Sequence, residues 1–167
     1  MPFWFYILAQ ITIIAYALVG GVFLGFSDFI MRSLTNTSGR GGAEAMQAIN
    51  REVFRWIFMT LFIGLVPVSL VIGGYGILML PAPAGLLASI ASGLYVIGCF
   101  GITAVCNVPL NNKLADLDVS KNTTLEFWHN VYLPRWTFWN SVRTVACIAA
   151  SGLLLFTLLQ SLSVQVT

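Results

Sequence analysis

The charges of this chain fall in two windows. Residues 28–55 and 113–143 together hold all eight Lys and Arg, all six Asp and Glu, and the single His, His129. Three stretches are left without any charge: residues 3–27, 56–112 and 144–167. Only 8% of the residues are charged, against about a quarter in an average protein. So few charges cannot coat a water-facing surface, which places the chain among integral membrane proteins. One span takes about 20 apolar residues to cross roughly 30 Å of hydrocarbon. The first and last uncharged stretches each supply one. The middle one supplies two, divided at Leu80-Pro81-Ala82-Pro83, because proline ends a helix. The expected fold is all-α: an integral membrane four-helix bundle, one domain over residues 1–167, with spans at about 4–27, 54–80, 84–106 and 136–163.

Four spans put both charged windows on one side and the termini with the turn at 81–83 on the other. Every Lys and Arg lies in those windows, so the positive-inside rule assigns them to the cytoplasm and both termini to the outside of the cell membrane. The sequons Asn36-Thr37-Ser38 and Asn122-Thr123-Thr124 are then on the wrong side for glycosylation and read as chance. MPFWFYILAQ has no Lys or Arg before its apolar run and reads as a retained first span. A net charge of +2 without a basic run excludes nucleic acid as a partner. Cys99, Cys106 and Cys147 sit in apolar stretches without paired spacing. That argues against disulfides and zinc and for thiols that pack as small hydrophobes. One His excludes a bis-His haem within one chain and a His-rich metal site, and no cofactor is expected.

Between the spans, TNTSGRGG (35–42) reads as a flexible loop and NKLADLDVSKN (112–122) as the second connection. Thr123-Thr124-Leu125-Glu126 fits a capping box. It opens a helix that continues into the fourth span, with a kink expected at Pro134. Gly21-Val22-Phe23-Leu24-Gly25 is a GxxxG pattern of the kind that lets helices approach closely.

Three constellations carry polar groups toward the spans. In WHNVYLPRWTFWNSVRT (128–144), Trp128, Tyr132, Trp136, Trp139, Asn140 and Arg143 fall within about 120° of one helix face. His129 points roughly a quarter-turn away. Trp and Tyr belong at a membrane interface and Arg snorkels there, so an interface belt is one reading. The other is the wall of a site for a flat aromatic molecule, because Asn140 and Arg143 lie a turn deeper, where polar groups face a partner or a cavity. In GGAEAMQAINREVFRW (41–56), Glu44, Gln47, Arg51 and Arg55 form a narrow stripe with Asn50 to its side. This is a helix lying in the interface with its polar face to water. Alternatively the stripe turns inward toward Trp136, Asn140 and Arg143, and Asp28 pairs with one Arg. In CNVPLNNKLADLD (106–118), Asn107, Asn111 and Asn112 flank Pro109. They either end the helix or aim amide donors into the bundle mouth, where they would bond a phenol or quinone oxygen without a charge.

AMQAINREVF, NVPLNNKLADLD and W-x3-Y-x3-W-x2-WN-x2-RT, in that order between four spans, resemble the anthrone oxygenase-like membrane proteins, also called the DUF1772 family. The resemblance covers about residues 10–160. It implies a four-helix membrane bundle and, for members of polyketide pathways, oxidation of an anthrone to an anthraquinone by O2 without a known metal or flavin. The matching positions are Gln47, Asn50 and Arg51; Asn107, Pro109, Leu110 and Asn111; and Trp128, Tyr132, Trp136, Asn140 and Arg143. His129 is not part of the motif.

The chemistry implied asks for a flat apolar pocket, a base and a stabilised oxyanion. Trp128, Tyr132, Trp136 and Trp139 are candidates to stack on the rings. Arg51 and Arg143, with Asn107, Asn111 and Asn140, are candidates to hold a developing phenolate. His129 has the intrinsic pKa of a base, and Asp28 or Glu44 would serve if buried near an Arg. The rival reading is a non-enzymatic membrane subunit that binds a quinone, lipid, pigment or partner protein. A transporter or channel is disfavoured, because the spans carry no intramembrane charges. Association with further copies stays open.

Overall fold

The computed structural model describes residues 1–37, 40–53 and 55–166, without the side chains of Trp56 and residues 162–166. Four helices in it are long and apolar enough to cross a membrane: α1 (Phe3–Thr35), α3 (Trp56–Met79), α4 (Ala84–Ala115) and α5 (Asn122–Ser161). A shorter helix, α2 (Gly41–Glu52), links α1 to α3. The expected break at residues 80–83 is where α3 ends and α4 begins. Ser38 and Gly39 of the first connection, the last residue of the first sequon, and Phe54 at the expected start of the second span lie outside the described residues.

The long helices close into a ring in which each packs on two neighbours: α5 on α1 and α4, and α3 on α4 and α1. The sequence pattern on each helix accounts for this. On α1 the buried positions Phe5, Ala9, Thr12, Tyr16, Val19 and Phe23 recur at intervals of three and four, one face of a helix. On α5 the stripe runs through Trp128, Tyr132, Trp136, Asn140, Arg143, Cys147, Ala150, Leu154 and Leu158. The opposite faces expose Ile11, Leu18, Leu70, Ile97 and Ile148, as helices surrounded by lipid require.

Three of the helices are longer than the spans expected from sequence. α1, α4 and α5 continue past the apolar runs, and their extensions form a second core with α2. Met31, Met46, Leu114, Trp128 and Tyr132 are buried in it. Amphipathic packing among the extensions replaces the loops expected over residues 112–115 and at Thr35. Gln47 of α2 contributes by donating through Nε2 to the Leu114 and Leu117 carbonyls at 2.7 and 2.9 Å, which fastens α2 to the end of α4 and the connection that follows it. The remaining connection is held locally. The Ser120 amide donates to Asp118 Oδ1 at 2.9 Å and holds that exposed carboxyl below its usual range.

Two local expectations are corrected. The Thr124 hydroxyl donates to the Asp118 carbonyl at 2.6 Å. The helix starts at Asn122 after Lys121 with no side-chain cap, so there is no capping box. The GxxxG at Gly21 and Gly25 makes no interhelical contact: a Cβ on Gly21 would meet nothing, and one on Gly25 only its own helix. Close approach falls instead at Gly20, whose added Cβ would lie 3.0 Å from the Cys147 Cβ, and at Gly98, 2.9 Å from the Ala146 Cβ. These two glycines let α1 and α4 close on α5. Gly98→Leu should therefore lower stability by about 1–3 kcal/mol, the usual range for overpacking. Thermal unfolding in lipid nanodiscs checks this, and an unchanged midpoint would refute the contact.

Candidate functional site

Prolines at the charged end of the bundle change the helices there. Pro109 and Pro134 lack the N–H that an α-helix needs, and their rings press on the carbonyl four residues back. Each follows a widened turn closed by bonds to the fifth residue, Thr103–Asn107 in α4 and Trp128–Tyr132 in α5. Such turns absorb the misfit. They also alter the periodicity. In a regular helix, residues four apart drift by about 40° per step. With the wider turn the rings of Trp128, Tyr132 and Trp136 stack instead, with centroids 5.3 and 6.2 Å apart and planes within 19° and 17°.

Asn111 ties this stack to α4. Its Oδ1 accepts from the Tyr132 hydroxyl and from Trp136 Nε1, both at 2.8 Å. Asn50 of α2 donates to the same tyrosine oxygen at 3.3 Å. Asn107, fully buried, donates to the Trp136 carbonyl at 3.2 Å and leaves its Oδ1 without a partner.

One turn deeper lies Arg143, only 4% exposed. Its guanidinium donates to Thr103 Oγ1 at 3.0 Å and to Asn140 Oδ1 at 2.6 Å. It lies over the Phe23 ring at 4.1 Å and the Trp136 ring at 5.4 Å. Asn140 is anchored in turn, its Nδ2 donating to the Phe23 carbonyl and to Ser27 Oγ, both at 2.6 Å. Among the described residues the Arg143 Nε has no hydrogen-bond partner. Among the described residues the one ion pair joins Arg55 and Glu52 on the surface, so no carboxylate answers this cation. The expectation of spans free of charge is corrected here.

The cation borders a cavity of about 260 Å³ lined by Phe23, Phe26, Phe58, Phe62, Phe100 and Trp136, with Asn50, Asn111 and Thr103 as its other polar edges. Val22 of α1 and Ile63 of α3 belong to the lining and also face outward, so the cavity reaches the lipid-facing surface. Among the described residues no carboxylate or imidazole lines it.

The residues singled out in the sequence divide accordingly. Trp136, Asn50, Asn111 and Arg143 line the cavity, whereas Trp128, Tyr132, Asn107 and Asn140 are buried behind it. Trp139 is half-buried, edge-on to Phe138 at 5.0 Å. Arg51 and His129 are exposed and outside the lining, as are Asp28 and Glu44, the other candidate bases. Of the stripe Glu44, Gln47, Arg51 and Arg55, the three charged residues are exposed because the apolar face of α2 (Ala43 and Met46) takes the inner side, while Gln47 is half-buried against the end of α4 and outside the lining. Sequence reasoning missed Thr103 and the phenylalanines. Thr103 lies four residues before Asn107, a spacing that marks it, but nothing separates Phe23 or Phe62 from the lipid-facing residues around them.

The fold and cavity define a class: a four-helix, membrane-type bundle whose apolar chamber ends at a buried cation. The chain matches the family model described as anthrone oxygenase over residues 58–153, more than half its length, and belongs to that family. Comparison with curated proteins and with solved structures finds no match.

Asn111→Ala should destabilise the protein, since it strands the Tyr132 and Trp136 donors at about 1–3 kcal/mol for each buried group left unpaired. Near-ultraviolet circular dichroism and the unfolding midpoint report it. Unchanged aromatic signals would contradict the network.

Proposed function

We propose that the protein is a membrane-embedded oxygenase that oxidises an anthrone-like or other polycyclic phenolic substrate with O2, its charged end in the cytoplasm. The observation that carries this reading is Arg143, buried, without a carboxylate, its Nε unpartnered, at the edge of an aromatic-lined cavity. An uncompensated buried cation is costly, and an anion formed in the cavity offsets that cost.

The ring system's CH2 loses a proton and becomes an enolate, whose oxygen lies against Arg143. With no carboxylate or imidazole in the lining, the step is driven by stabilisation of the anion, and the proton passes to water. The enolate gives one electron to O2, and the resulting radical pair combines into a peroxide anion that takes a proton back from water to become a hydroperoxide. Loss of water leaves a carbonyl: one CH2 and one O2 become one C=O and one H2O. Electron-rich enolates reduce O2 directly, so this sequence needs no cofactor. Asn140 acts as a positioning residue that fixes the guanidinium through its 2.6 Å bond. Trp136 and the phenylalanines hold the ring. Arg51 and His129 have no part in this account.

The lack of a base in the lining also favours a second reading, a subunit that binds a quinone or similar pigment without changing it. The fate of the molecule separates the two. Purified protein should take up O2 with an anthrone well above the spontaneous rate and release the quinone. Arg143→Gln should lose about 10²–10³ in rate, as for loss of an oxyanion donor. Thr103→Asp, which places a carboxylate beside the guanidinium, should leave the protein folded and equally inactive. Full activity in both variants would end the role given to Arg143, whereas O2 uptake no faster than the spontaneous rate, with an unchanged pigment co-purifying, would replace the oxygenase reading with the binding one.

A further inference from the structure

The helices α3 and α4 part company along their length. Near the turn at residues 80–83 they touch closely: a Cβ added to Gly73 would lie 2.9 Å from the Ser92 Cβ, and one on Gly76 2.9 Å from the Gly85 carbonyl oxygen. The Ser89 hydroxyl donates to the Gly73 carbonyl at 3.1 Å and ties the pair there. Toward the charged end the contact passes to larger side chains, Phe62 against Phe100 with ring centroids 5.6 Å apart. One turn further on, Met59 and Ile63 of α3 and Ala104 of α4 line the cavity, and Ile63 and Ala104 are also exposed on the outer surface. The two helices thus form a wedge, closed by small residues at one end and open onto the cavity at the other. Pro67, inside α3, offers no N–H to the Ile63 carbonyl four residues back, which weakens the helix beside the opening. Apolar side chains stand in the other approaches. The Phe23 ring of α1 is edge-on to Phe58 and Phe62 at 5.9 and 6.2 Å, and Met46 and Ile49 of α2 line the cavity from the charged end.

We propose that the seam between α3 and α4 is a lateral portal, and that the ligand it admits is the uncharged, lipid-dissolved form of a ring compound. The proposal rests on the reading of the cavity as the substrate site. A neutral polycycle already in the bilayer reaches Ile63 and Ala104 without crossing water, whereas a charged one would have to travel through hydrocarbon at a large cost. Among the described residues Arg143 is the one charged side chain of the lining. It stands on α5, diagonally across the ring of helices from α3, so ionisation follows entry. An anion formed there is retained, because leaving would carry its charge into lipid. A neutral product leaves by the way the substrate came.

The test uses full-length protein in lipid nanodiscs and a fluorinated hydroxyanthraquinone, whose exchange between lipid and protein is followed by fluorine magnetisation transfer. Ala104→Trp should slow entry and release together by about tenfold, since a plug in the seam raises the barrier between two states it leaves alone. Ile63→Trp repeats the block from α3. Val105→Trp, at an exposed neighbouring position outside the lining, should exchange as wild type does. A sulfonated hydroxyanthraquinone, held at the membrane surface by its fixed charge, should not bind wild type. Unhindered exchange in both plugged variants, equal slowing by Val105→Trp, or binding of the sulfonated ring as tight as that of the neutral one would overturn the portal. The measurement needs no turnover: slowed exchange without O2 uptake leaves the portal standing, and O2 uptake with unhindered exchange overturns the portal alone.

Discussion

A guanidinium held inside a helical bundle without a carboxylate is the constraint around which this protein is arranged. Burying a charge is costly unless something answers it, and here the answer is partial. Asn140 and Thr103 take two donors, while the faces of Phe23 and Trp136 meet the positive charge. Two of these groups are themselves fixed by another helix, Asn140 through the Phe23 carbonyl and Ser27, and Trp136 through Asn111. α1, α4 and α5 are thereby set relative to one another at the level of the cation.

The second core makes this arrangement possible. Four helices alone would leave their charged end open, and the polar groups would be hydrated. The extensions of α1, α4 and α5 pack with α2 over that end, while Gln47 fastens α2 to the end of α4. The widened turns before Pro109 and Pro134 keep residues spaced by four on the inner side of the helices. Prolines that read as interruptions thus serve to aim Asn111, Tyr132 and Trp136 at a common point.

Much of this was legible in the sequence, for physical reasons. Charges excluded from hydrocarbon delimit spans, so the four long helices and the break at residues 80–83 follow from composition. Asn140 and Arg143 stood out because polar groups below an aromatic belt need a partner. The pattern of α2 was ambiguous: a polar stripe beside an apolar face fits water or a site equally well. Tertiary packing resolved it in favour of Ala43 and Met46 inside, with Arg51 outside. The phenylalanines of the cavity were hidden, because an apolar residue facing lipid and one facing a cavity look alike in sequence. Contacts between helices far apart in the chain leave no local signal.

The central claim is that the cavity favours an anion beside Arg143. It is tested most directly with a phenol that cannot react further, a hydroxyanthraquinone whose neutral and ionised forms differ in colour. Its ionisation would be followed by absorbance against pH in nanodiscs with and without the protein. The account predicts that the bound dye ionises at lower pH than in empty nanodiscs, and that Arg143→Gln abolishes the shift. A dye that binds but ionises at the same or a higher pH than in lipid alone would contradict it.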